Sequence, residues 1–304
     1  MFRKTIVVLL CLSAVIFFTA CTKTSQTVSN NGKIKVSVTF NAMKEFVAAV
    51  GKDKVVISTI IPDGMEPHDF EPKGRDLADL STAQVFVYNG FGMEKWADEA
   101  IQAVDNKKLV VVEASKGGTP IENTDTDAIN EHGQYDPHIW ISLKGAEIEA
   151  KNVRDGLIKA DPANKTFYTK NCSDFVAQLE KLYVTYNAKF QADGNKSFVT
   201  GHAAFAYLCR DFGLHQNSVE DVFAEGEPSA QKLTELINYC KKNKVKTIFV
   251  EDMVSPAISQ TLADEVGAKV EKIHTIESSE DNTSYVQRMA SNLKIISDSL
   301  AQSK

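Results

Sequence analysis

The chain has 304 residues, of which 43% are hydrophobic and 24% charged, enough apolar side chain to fill two lobes of ordinary size. A formal charge of -6 leaves no basic footprint and argues against a nucleic-acid partner.

The first segment, "MFRKTIVVLLCLSAVIFFTACTK", has a basic start at Arg3 and Lys4 and an apolar run from Ile6 to Phe18. Small residues then lead into Cys21, the pattern of a secretory signal, and the run is short for a permanent span. The Thr-Ala-Cys ending resembles a bacterial lipobox, with Phe18 where leucine is usual. Residues 1–20 are therefore read as a signal peptide, cleaved before a Cys21 that carries lipid on its sulfur and amine. An ordinary signal cut near Ala20 is the alternative. Residues 21–33 are polar and aperiodic and read as a flexible tether; the twelve after Cys21 span roughly 20 Å root-mean-square. The mature protein would hang from the outer face of a cell membrane, or lie in a periplasm, without crossing the bilayer.

From Lys35 onward β-rich runs alternate with amphipathic stretches: "KVSVTF", "KVVISTIIP", "QVFVYNG" and "KKLVVVEAS" enclose helical patterns such as "NAMKEFVAAVG" and "EKWADEAIQAV". This alternation predicts βαβ units with parallel sheet over residues 34–160. Tyr168, Cys172, Phe175, Leu179, Leu182, Tyr186 and Phe190 recur at steps of four and three, which predicts one amphipathic helix from Pro162 to Phe190. At 1.5 Å per residue it would reach about 43 Å, enough to join two lobes across residues 161–191 and restrict hinge motion. Residues 192–304 repeat the style, with "KSFVTG", a helix from His202 to Phe212, "HQNSVEDV", "VKTIFVED", "AKVEKIHTI" and a last helix from about Asn282. The expected fold class is α/β: two (β/α) lobes with mainly parallel sheets, bridged by one long helix.

Cys172, Cys209 and Cys240 are too widely spaced for a thiolate zinc site. An exported chain could form one disulfide, for which Cys209–Cys240 is the choice; three unpaired core thiols are the alternative.

The histidines carry more information. His68 lies in the Pro- and Gly-punctuated loop "IIPDGMEPHDFEP", His138 in "DPHIW", and His202 at a Gly-His step after the strand "SFVT". Ligands of open α/β sheets gather beyond the carboxyl ends of strands, so loops of both halves can meet there. Three imidazoles and one carboxylate make a tetrahedral site for a borderline cation such as Zn²⁺. His215 and His274 are read as ordinary surface and strand-end residues. Asp136 is a candidate outer partner for a metal-bound imidazole, although Asp before Pro is also a common turn residue.

"PDGMEPHDFEP", "DLADLSTAQVFVYNGFGMEKW", "YDPHIWIS", "TGHAAFAYLCRDFGL", "GEPSAQKL" and "IFVEDMVSPAISQTLADEVGAKV" occur in this order. Together they resemble the metal-binding solute-binding lipoproteins of ABC importers, the zinc and manganese cluster, over nearly the whole mature chain. The resemblance implies a metal held between two bridged lobes, with His68, His138 and His202 as ligands. The segment from Glu122 to Asp136 corresponds to a loop that is often histidine-rich in zinc-specific members. Here it holds only His132 among Glu122, Asp125, Asp127 and Glu131, so a solvated acidic loop competes with a modest part in capturing cation. For the fourth ligand, Glu251 in "IFVEDM" and Glu277 in "IHTIESSED" compete with water. Zinc-type relatives carry a glutamate at the position matching Glu277, and Ile276 stands where manganese-type relatives place an aspartate, so the resemblance assigns Glu277 to the fourth position.

The resulting expectation is a monomeric, lipid-anchored receptor that delivers a divalent transition metal to an ABC permease and catalyses nothing. Zn²⁺ is favoured over Mn²⁺ because the third donor is His202, where manganese-type members tend to use a carboxylate. The alternatives are a manganese receptor of the same family, a secreted zinc metallohydrolase, and an adhesin with structural metal. The hydrolase lacks a His-Glu-x-x-His helix.

Overall fold

A computed structural model describes residues 32–123, 129, 133–223, 228–251, 255–279 and 281–302. The signal segment, Cys21, most of the tether and His132 lie outside the described residues.

The β-branched run Ile34–Val38 forms β1, and α1 (Asn41–Gly51) follows it. Then come β2 (Val55–Thr59), α2 (Ala78–Thr82), β3 (Val85–Tyr88), α3 (Ala97–Val104) and β4 (Val110–Glu113). These strands make a parallel sheet in the order β2-β1-β3-β4. A short antiparallel pair, β5 (Ile121–Glu122) and β6 (Tyr135–Asp136), closes the acidic segment at its base.

Two long helices follow, where the sequence reading placed one. The first, α4 (Leu143–Ala160), is capped by Ser142, whose hydroxyl accepts from Gly145 N–H at 2.9 Å. It buries Leu143, Ala146, Ala150, Val153 and Leu157 along one stripe. Gly145 and Gly156 let it approach its neighbours closely: a Cβ at 145 would strike the Ile139 carbonyl, and one at 156 would strike the Val112 side chain. The second, α5 (Lys165–Ala192), is the expected linker, preceded by a 3-10 turn at Pro162–Asn164. Tyr168, Cys172, Phe175, Leu179, Tyr186 and Phe190 of the predicted stripe are buried, and Leu182 is half-buried. Helices α4 and α5 pack along each other, and α1 packs on both.

The second lobe comprises β7 (Ser197–Thr200), α6 (Ala206–Phe212), β8 (His215–Ser218), α7 (Ala230–Lys242), β9 (Thr247–Val250), α8 (Pro256–Val266), β10 (Lys269–Lys272) and α9 (Tyr285–Gln302). Its sheet is also parallel, in the order β10-β9-β7-β8. Cys172, Cys209 and Cys240 are buried free thiols, so the Cys209–Cys240 bridge does not form.

One apolar core runs without interruption from Phe40, Phe46 and Trp140 through Phe175 and Tyr285 to Phe198, Phe205 and Phe249, and so joins the two lobes. Hydrogen bonds cross the same seam. Trp140 Nε1–H donates to the Thr275 carbonyl at 2.7 Å, and the Tyr285 hydroxyl donates to the Trp140 carbonyl at 2.6 Å. A shared core with buried polar ties resists wholesale opening. No helix among the described residues is long and apolar enough to cross a membrane.

Candidate metal centre

Because both sheets are parallel, the loops after their strands open at the carboxyl edges, where ligands collect. His68 lies in the loop after β2, His138 follows β6, His202 follows β7, Glu251 directly follows β9 and Glu277 follows β10. The predicted helix from His202 starts only at Ala206, which leaves His202 in the intervening turn.

The structure brings His68, His138 and His202 together: one ring nitrogen of each lies within 4.8 Å of the others, and all three residues are buried. The Nε2 atoms of His68 and His138 are 3.2 Å apart. Glu277 Oε1 is 3.6 Å from the first and 3.5 Å from the second. Ligands about 2.0 Å from a tetrahedral zinc lie about 3.3 Å from each other, so these three atoms already approximate one face of such a site. The His202 corner is wider.

Each imidazole is oriented by a neighbour. Asp136 Oδ1 accepts from both Nδ1–H and the main-chain N–H of His138, at 2.8 Å each, so that in the neutral ring the lone pair is on Nε2. His202 Nε2 is 2.7 Å from the Val222 carbonyl, which can only accept, so Nδ1 keeps its lone pair. The His202 main-chain N–H donates to Glu251 Oε1 at 3.2 Å, and His68 N–H to Glu66 Oε1 at 3.1 Å. Apolar walls flank the rings, with Phe223 5.5 Å from His68 and Trp140 5.0 Å from His138 between centroids.

Glu277 is the carboxylate that faces the cluster. Its Oε2 accepts from the Thr275 hydroxyl at 2.7 Å, while Oε1 is buried with no hydrogen-bond partner. A buried carboxylate oxygen without a partner is costly unless a cation meets it. The residue before it, Ile276, has φ of 64°, a left-handed conformation that costs a β-branched side chain about 1–3 kcal/mol. Asn41 holds that turn from the other lobe: its side-chain N–H donates to the Ile276 carbonyl and its main-chain N–H to the Glu277 carbonyl, both at 3.3 Å.

The electrostatics suit a cation. Burial raises the Glu277 carboxyl, but the imidazoles of His138 and His68 outweigh it and hold the group well below its ordinary range. Burial lowers His68, and burial with the neighbouring His138 lowers His202 to about 3, so both stay neutral donors. Burial also opposes charge on His138, yet Asp136 and Glu277 raise it to about 9. Burial pushes both Glu66 and Glu251 up to about 8.

Of the competing carboxylates, Glu277 faces the histidines, whereas Glu251 stands behind His202 and holds its main chain. His215 is exposed, outside the cluster, and lines a groove that Asp136 and Val222 also border, and His274 is tied to Asn292. Sequence reasoning missed Glu66 and Thr275. Each lies two residues from a candidate ligand, and that spacing was the available signal.

The model of the zinc-uptake complex component A (ZnuA), periplasmic, matches residues 36–299. A protein of Treponema pallidum (strain Nichols) is 42% identical over 295 residues, covering 94% of this chain and 93% of its own. The high-affinity zinc uptake system protein ZnuA of Bacillus subtilis (strain 168) is 35% identical over 285 residues, covering 90% and 89%. Among solved structures, the laminin binding protein Lmb of Streptococcus agalactiae, described as bifunctional with adhesin and metal transporting activity, superposes with a TM-score of 0.80. It is 34% identical, and the match covers 88% of this chain and 99% of that one. The two parallel lobes, the linking helix and the buried three-histidine cluster accompany a family match over nearly the whole mature chain, and the chain belongs to the ZnuA family of zinc-uptake binding proteins.

Proposed function

We propose that this chain is an extracytoplasmic receptor that captures one Zn²⁺ between its lobes and hands it to the permease of an ABC importer. His68, His138, His202 and Glu277 are the proposed ligands. The observation that carries this reading is Glu277 Oε1, buried and without a hydrogen-bond partner beside two imidazole nitrogens. Three nitrogens and one oxygen suit Zn²⁺ better than the harder Mn²⁺, which prefers more oxygen donors. Four protein donors also leave no open position for an activated water, so the chain binds its metal and catalyses nothing. Cys21 is the proposed lipid anchor, and the protein acts as a monomer outside the membrane.

Titration of the metal-free protein with Zn²⁺, alone and against Mn²⁺, tests this function. One reversibly bound zinc per chain, preferred over manganese, is expected. Absence of stoichiometric binding, or hydrolysis of peptide, ester or phosphoester substrates by the zinc-loaded protein, would overturn it.

A further inference from the structure

Each of the three histidines is gripped by a carboxyl oxygen through its own main chain. His68 N–H donates to Glu66 at 3.1 Å, His138 N–H to Asp136 at 2.8 Å, and His202 N–H to Glu251 at 3.2 Å. The first two grips are local, since each carboxylate sits two residues before its histidine. The third is not: Glu251 reaches His202 across a sequence separation of 49, from the end of β9 to the turn after β7. These two strands are paired in the sheet, with Thr200 opposite Phe249, so the carboxylate fastens a loop to the neighbouring strand end. Glu251 is 3% exposed; its Oε1 accepts from the His202 N–H and its Oε2 is buried without a hydrogen-bond partner, and it is Glu277, not Glu251, that lies within 4 Å of the His68 and His138 ring nitrogens.

The direction of an imidazole is set first by the main chain that carries it, and a buried N–H needs an acceptor. A carboxyl at that N–H therefore fixes the loop and the ring together. We propose that Glu66, Asp136 and Glu251 form an outer frame that positions the three histidines through their main-chain N–H groups. Glu251 is its decisive member, because it sets His202, the one imidazole supplied by the second lobe. The inference rests on the metal-receptor reading above and adds to it a positioning residue that never touches the ion.

Glutamine at 251 keeps an acceptor oxygen, whereas methionine keeps the length and loses the acceptor. Zinc-loaded wild type, Glu251→Gln and Glu251→Met should be compared by zinc release into excess chelator and by the number of imidazole ligands from X-ray absorption. The glutamine variant should release zinc within about threefold of wild type and keep three imidazoles. The methionine variant should release it about 10–100-fold faster, the usual cost of losing an outer-shell partner, with fewer imidazoles. Wild-type release from Glu251→Met would show that volume alone matters and would overturn the frame. Rapid release from Glu251→Gln together with loss of an oxygen ligand would make Glu251 a direct ligand and equally overturn it. If Glu251→Met fails to fold, Glu66→Gln against Glu66→Met applies the same contrast at His68. Failure of wild type to bind zinc defeats the receptor reading, whereas normal wild-type binding with indifferent variants defeats only the frame.

Discussion

The Nε2 atoms of His68 and His138 stand 3.2 Å apart in a buried setting, with Glu277 Oε1 beside both. Two imidazole lone pairs directed at one point repel unless a proton or a cation lies between them. Replacing His68, His138 or His202 by Ala should therefore lower zinc affinity beyond the roughly 10–100-fold that loss of an outer partner costs. His215→Ala should leave affinity unchanged, because that residue is exposed and outside the cluster. Competition against a chromophoric chelator measures all four variants, and equal small losses would dissolve the proposed cluster.

Thr275 offers a finer test of Glu277. Its hydroxyl donates to Oε2 at 2.7 Å, which turns Oε1 toward the histidines. Thr275→Val keeps the shape and deletes the donor. Zinc should dissociate about tenfold faster, in the lower part of the range for outer partners, while the melting temperature of the metal-free protein changes little. An unaltered dissociation rate would separate Thr275 from the site.

A pH effect should arise at a residue outside the cluster, Glu149 on α4. This residue is completely buried, neither carboxyl oxygen has a hydrogen-bond partner, and burial together with Glu94 raises its pKa well above the ordinary value. Glu94 is raised to about 7 by burial. Below about pH 4 both groups are protonated in the folded and the unfolded chain. As pH climbs past 4.5, the unfolded chain releases protons that the folded chain retains, so stability falls until the folded carboxyls ionise. Glu149→Gln should melt several degrees above wild type at pH 8 and within a degree or so of it at pH 4, where about 1 kcal/mol corresponds to 2–4 °C. Parallel melting curves across that range would refute the buried-carboxyl assignment.

Gly145 is sterically obligatory. A methyl group there would strike the main-chain carbonyl of Ile139, which belongs to the turn that follows His138. Gly145→Ala should cost about 1–3 kcal/mol through overpacking and weaken zinc binding by shifting that turn. Chemical denaturation and zinc titration of the same sample would show both effects. A variant with wild-type stability would mean that the turn yields freely.

The proposed anchor is tested at Cys21. Cys21→Ser should move the protein from the membrane fraction to the soluble exported fraction, because a serine cannot accept the thioether-linked lipid. Persistent membrane association would point to a retained signal segment or another attachment.

Much of this was legible in the sequence because the elements are strongly periodic. The stripe from Tyr168 to Phe190 specified the linking helix, and the alternation of β-branched runs with amphipathic segments specified parallel sheets. His68, His138 and His202 were legible as a set because each follows a strand or sits beside a turn-forming residue. Helix α4 was not, since Gly145, Gly156 and the buried Glu149 interrupt its apolar stripe, and those glycines are there for close packing. The start of α6 at Ala206 was hidden because the chain from Gly201 to Phe205 is turn, held partly by Gln216 Nε2–H donating to the His202 carbonyl. The family resemblance favoured Glu277 over Glu251, while the residues alone left both open, because each is a glutamate at or beyond a strand end; in the structure both are buried and their side chains point differently.

The parallel sheets have a consequence for how such a protein can diversify. Strand interiors such as Val36, Val38, Val85 and Ile248 fill the cores, while the proposed ligands hang from the loops beyond. Exchanging a donor in one of those loops alters the appetite of the pocket without rewriting the scaffold that holds it. A lineage could thus drift from one cargo to another by one or two substitutions, with folding left nearly intact throughout.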